Sequence, residues 1–99
     1  MRAILLAAPV MLIWAGASQA QSIENACLRS DREAKSRALC SCIQQAANLT
    51  LNAKDQKLAA GFYSDPDKAQ EIRQSDRFAH TRFWGRYKDY AEMAETFCG

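Results

Sequence analysis

The chain has 99 residues, with 13 Lys+Arg against 11 Asp+Glu and four cysteines. That length allows one small domain with a modest core. A net charge of +2 excludes general nucleic-acid binding, which needs a strong basic surplus.

Residues 1–20, MRAILLAAPVMLIWAGASQA, open with Arg2, continue in an apolar run from Ala3 to Ala15 and end with small residues at Ser18 and Ala20. This is the pattern of a secretory signal peptide, with cleavage expected between Ala20 and Gln21. The run carries Pro9, is closed by Gly16, and is shorter than the roughly 20 apolar residues that cross a bilayer. No cysteine follows the cleavage site, which argues against a lipid anchor, and the bacterial character of the signal points to the periplasm. Removing residues 1–20 takes Arg2 away and leaves 12 basic against 11 acidic side chains, +1 over 79 residues. Residues 21–99 are then a single domain with no second segment long enough to span a membrane.

No run in that domain alternates apolar with polar residues, so the expected class is all-α, a small disulfide-stapled helical bundle. Ile23 to about Arg29 predicts a short first helix, followed by the polar turn SDREAKS. A second helix is expected from about Ser36 to Leu49. In TLNAKDQKLAAGFY, Asn52 is a plausible N-cap, Asp55 sits near the positive helix end, and Leu58 and Phe62 share one face. At SDPDK, Asp65 suits the N-cap and Pro66 the first helical position. From Pro66 onward, Ala69, Ile72, Ala79, Phe83, Tyr87, Tyr90, Ala94 and Phe97 keep helical spacing. Ile72 stays in phase with Phe83, which favours one long C-terminal helix over residues 66–98, roughly 50 Å at helical rise. Ser75-Asp76 is the alternative break, where a fresh helix would be capped.

Cysteines at Cys27, Cys40, Cys42 and Cys98 in an exported chain read first as two disulfides with three possible pairings. On a helix Cys40 and Cys42 diverge by roughly 160°, so they cannot bond each other. Cys42 falls with Leu39, Ile43, Ala46 and Leu49 on the expected core face, and Cys40 with Arg37, Gln44 and Ala47 on the outer one. The favoured pairing is therefore Cys27–Cys40 with Cys42–Cys98. Its main rival is Cys27–Cys42 with Cys40–Cys98. Cys-Ser-Cys in either case ties one helix on both sides. A thiol alternative, metal binding or redox cycling through Cys40 and Cys42 with Cys27 or Cys98, lacks the paired knuckles of four-cysteine zinc sites and has no C-x-x-C. No metal or other cofactor is expected.

His80, four residues after Asp76, has the spacing of an oriented general base. With no nucleophile signposted beside it, His80 reads as an edge of the aromatic core with local hydrogen bonding. The series Phe83, Trp84, Tyr87, Tyr90 and Phe97 reads mostly as core, with Trp84 and Tyr90 at its rim and area to spare for binding. Arg73, Arg77, Arg82, Arg86 and Lys88 make the middle of the last helix basic, while Asp89, Glu92 and Glu95 make its end acidic, against the helix dipole. Arg86, three residues before Asp89, lies within reach for an intrahelical pair, so this helix is either a solvated charged face or a two-signed docking surface.

The segments NACLRSDREAKSRALCSCIQQAANLTL, SDPDKAQEIRQSD and FWGRYKDYAE together resemble a group of short exported proteins of marine and related alphaproteobacteria, some labelled "arginine transporter". The resemblance covers essentially the whole of residues 21–99 and implies at most an accessory component of amino-acid transport. A chain of this size forms neither a membrane channel nor the two-lobed receptor that closes around an amino acid. The residues themselves favour a non-enzymatic binding or accessory module, whose protein or small-molecule partner is met at Arg82, Trp84, Arg86 and Tyr90. The thiol protein is the second reading and an enzyme the least supported.

Overall fold

A computed structural model describes residues 21–31 and 35–99; the signal-peptide reading of residues 1–20 lies outside them. Five helices follow in order, α1 (Ser22–Arg29), α2 (Arg37–Thr50), α3 (Ala53–Gly61), α4 (Pro66–Arg73) and α5 (Phe78–Cys98), with no strand among the described residues. The all-α, disulfide-stapled class expected from the sequence is what the chain adopts. The long C-terminal helix is α5, at 21 residues.

Short polar side chains begin the middle helices. The Ser36 hydroxyl accepts the Leu39 N–H at 3.0 Å and so opens α2 by satisfying one of the donors a helix start leaves unpaired. Asn52 and Asp55 form a reciprocal capping box at the start of α3, each side chain accepting the other's backbone N–H. Asp65 occupies the N-cap of α4 with Pro66 at the first helical position, although the Asp65 side chain makes no capping bond.

Packing places α2 between α1 on one side and α5 on the other, with α1 also resting on α3 and α4 folded back along α5. The core runs through all five helices and includes Ile23, Cys27, Cys40, Ile43, Ala47, Phe62, Ile72, Phe83 and Tyr90. Ile23 and Ile72 are essentially fully buried, each a gain of about 1.5–3 kcal/mol over an exposed side chain.

The single helix expected across residues 66–98 does not form. The chain leaves helical geometry between Arg73 and Phe78, where the Ser75 hydroxyl accepts the Arg77 N–H at 3.1 Å and lies 2.8 Å from His80 Nδ1. A side chain that bonds its neighbouring backbone offers an alternative to the helical ladder. The break has a packing consequence as well. Folding α4 back on α5 puts Ile72 and Phe83 in one core, so their common phase reports a helical hairpin and not helix continuity.

The disulfides are the favoured pairs, Cys27–Cys40 with Cα atoms 5.6 Å apart and Cys42–Cys98 at 5.8 Å. The faces assigned to Cys40 and Cys42 need correction, however. Cys40 is fully buried and Cys42 is half-buried, because α1 covers the side of α2 that its polar residues mark as outward. Leu49, expected on the core face, is 76% exposed. Gln44 explains the inversion, since its side chain is used inside. Its Oε1 accepts the Glu24 N–H of α1, and its Nε2 donates to Asn48 and Gln56. Gln56 in turn donates to the carbonyls of Ala47 and Leu51. This amide network satisfies a donor in the first turn of α1, whose own N-cap, Gln21, makes no side-chain bond.

Candidate functional site

One face of α5 carries Tyr87, Tyr90, Ala91, Ala94 and Cys98 at steps of three and four. The side chains shrink abruptly from the two tyrosines to the two alanines. Beside that step lies an open groove of about 680 Å³, walled by Leu39 and Ile43 of α2 and by Ala59, Phe62, Tyr63 and Pro66. Ser30 and Asp31, just past α1, together with Glu95, Cys98 and Gly99, complete the rim. A volume of this order matches small-molecule pockets, which are mostly apolar with few polar groups.

Tyr87 is the centre of the aromatic end. Its ring meets those of Phe62 (5.3 Å between centroids), Phe83 (5.7 Å), Trp84 (4.9 Å) and Tyr90 (5.5 Å). Edge contacts with Phe62 and offset stacking with Trp84 are the preferred aromatic geometries. Burial raises the Tyr87 phenol above its ordinary pKa, and the neighbouring Tyr63 raises it further. Tyr87 therefore presents a neutral hydroxyl at ordinary pH.

The four residues expected to make a binding surface are engaged in different ways. Tyr90 is buried and lines the groove. Trp84 is half-buried behind Tyr87, outside the lining. Arg86 turns toward α3 and not along α5 to Asp89, its Nε donating to Asp55 Oδ2 at 2.7 Å and its Nη2 to Oδ1 at 3.0 Å. That two-pronged pair holds the guanidinium above its ordinary pKa, first through the hydrogen bonds to Asp55 and also through its charge, with burial opposing. Arg82 lies over the Phe78 ring at 5.4 Å, nine residues before Ala91 and so about 13 Å along the helix. Arg82 and Arg86 are thus tied elsewhere.

Sequence reasoning missed the alanine floor and both opposing walls. The signal was present as two large aromatics followed at helical spacing by two alanines, but which side chains face them depends on how α2 and α3 cross α5. His80 has a hydroxyl neighbour that the sequence did not signpost, Ser75, yet that hydroxyl also takes the Arg77 N–H. The pair does not line this groove, and its bonds lie in the turn that leads into α5, whose N-cap, Arg77, makes no side-chain capping bond. All four cysteine sulfurs are in disulfides, and no group of three or more His, Cys, Asp or Glu side chains among the described residues is placed to hold a metal ion. No described helix is long and apolar enough to cross a membrane.

Compared with family models, curated proteins and solved structures, the chain finds no match.

Proposed function

We propose that this chain is an exported, non-enzymatic binding protein of the periplasm, whose two disulfides hold a helical frame around a groove for a small ligand with an apolar body. The observation that carries the reading is the groove itself, with its aromatic end at Tyr87 and Tyr90 and its floor of Ala91 and Ala94. A domain selected only for stability would gain by filling that step with larger side chains. Disulfide staples support export, since they persist in oxidising compartments, and they agree with the signal-like residues 1–20. The thiol reading would require these bonds to open, and the buried Cys27–Cys40 pair makes that costly for the fold.

The test is a titration of isotope-labelled residues 21–99 with phenylbutanol, a neutral aryl alcohol, followed by amide shifts. Saturable shifts clustered at Ile43, Phe62, Tyr87, Ala91 and Ala94, lost in an Ala91→Trp variant that still folds, are the expected result. Shifts scattered over the surface, or unchanged by the tryptophan, would overturn the reading.

A further inference from the structure

We propose that the groove selects organic cations, taking a ligand with an ammonium group on an aromatic or alkyl body. This inference rests on the groove being a binding site and adds the chemistry of what it binds.

Charge is the first argument. Among the described residues, the charged side chains that line the groove are Asp31 and Glu95, both acidic and both exposed. Neither carboxylate forms a hydrogen bond or ion pair with any described residue. Lys35 is not itself a lining residue, and its ammonium donates to the carbonyl of Ser30, which is.

Backbone polarity points the same way. α1 ends at Arg29, and the next two residues, Ser30 and Asp31, are on the rim. α5 ends at Cys98, also on the rim. The end of α1 already carries cations, Arg29 in its last turn and Lys35 on the Ser30 carbonyl, whereas the last turn of α5 holds no basic residue, and a helix C-terminus favours a cation. Glu95 in the last turn of α5 works against helix stability by a few tenths of a kcal/mol, so its position has no helical rationale. A bound cation supplies one.

Ring chemistry is the third argument. Phe62, Tyr63, Tyr87 and Tyr90 surround the apolar end, and aromatic faces attract an ammonium through their quadrupole. The phenol of Tyr87 stays neutral, so its ring keeps that character at ordinary pH. The arrangement suits a cation whose apolar body lies over Ala91 and Ala94 while its charge sits between the rings and Glu95.

The experiment compares three probes of one shape, phenylbutyl-trimethylammonium, phenylbutanol and phenylbutyrate, by Trp84 fluorescence and amide shifts. Trp84 is the only tryptophan in residues 21–99 and stacks on Tyr87, so it reports on the groove without lining it. The ammonium is expected to bind about 10-fold tighter than the alcohol, with phenylbutyrate weakest. A Glu95→Gln, Asp31→Asn variant should lose most of that preference. Equal binding of the ammonium and the alcohol, with shifts still in the groove, would overturn the cation proposal and leave the binding site standing. A preference for phenylbutyrate would overturn it too, and no groove shifts with any probe would remove both readings.

Discussion

Arg86→Met should destabilise the protein by about 3 kcal/mol, at least twice the cost of Asp55→Asn, although the two side chains form one ion pair. The asymmetry follows from exposure, since the Asp55 side chain is 7% accessible and that of Arg86 38%. Removing the guanidinium strands a buried carboxylate, a loss of about 3–5 kcal/mol. The low end applies because the Asn52 N–H, at 3.4 Å, remains. Removing the acid lets Arg86 swing into water and keeps an amide oxygen as the cap acceptor, so about 1–1.5 kcal/mol is lost. The double variant contains no stranded charge and should be more stable than Arg86→Met alone, with a coupling energy of about 2 kcal/mol. Urea unfolding followed by Trp84 emission measures this directly, since 3 kcal/mol moves the midpoint by about 3 M for an m-value near 1 kcal/mol/M. Arg86 holds its proton above the ordinary guanidinium value. That stability is therefore complete below the unfolded pKa and lost only as pH rises through the folded one, and its own titration adds no pH dependence between about pH 6 and 9. Equal losses in the two single variants, or losses below about 0.5 kcal/mol, would mean that solvent screens the pair and return Arg86 to the exposed face of α5.

Gln44→Leu should cost about 2–3 kcal/mol, because it leaves the Glu24 N–H and the Gln56 Oε1 without partners; faster hydrogen exchange at Glu24 would locate the damage in α1, and unchanged exchange would contradict it. Removing the Cys42–Cys98 bond, which spans 56 residues, should lower stability by about 4 kcal/mol and raise the m-value, whereas the 13-residue Cys27–Cys40 link contributes about 3 kcal/mol plus the packing of its buried sulfurs. Graded reduction with peptide mapping should open Cys42–Cys98 first, since its cysteines are partly exposed and the other pair is buried. Tyr87 holds its proton above the ordinary phenol value, so its contribution is intact below about pH 10 and lost as pH rises through the folded value; ultraviolet titration should show a late phenol that disappears in Tyr87→Phe.

Local signals carried most of the fold. Ser36, Asn52 with Asp55, and Pro66 each mark a helix start through chemistry confined to one turn, and α2, α3 and α4 begin there. The failures share a cause, which is that polarity was read as exposure. Gln44 marked the Cys40 side of α2 as outward, but an amide can be buried when every donor and acceptor is met, and α1 supplies the partner. Ser75 and Asp76 interrupt the apolar phase so briefly that Ile72 and Phe83 stay in step. A hairpin and a straight helix give the same one-dimensional pattern there, and burial of both residues decides for the hairpin.

The site was less legible because a groove is a difference between surfaces. Tyr87 and Tyr90 were visible as an aromatic stripe, and such a stripe ordinarily closes against its neighbours. Here the two residues after Tyr90 on that face are alanines, and whether their space is filled depends on α2 and α3. Cys42–Cys98 fixes α2 against the end of α5, while the Asp55–Arg86 pair fixes the start of α3 against its middle. Those two anchors set the span that Leu39, Ile43 and Phe62 must bridge, and side chains of that length leave the alanine floor open. The charge pattern then follows the same division. Arg86 belongs to the anchor, and Glu95, from the acidic end of α5, lines the opening.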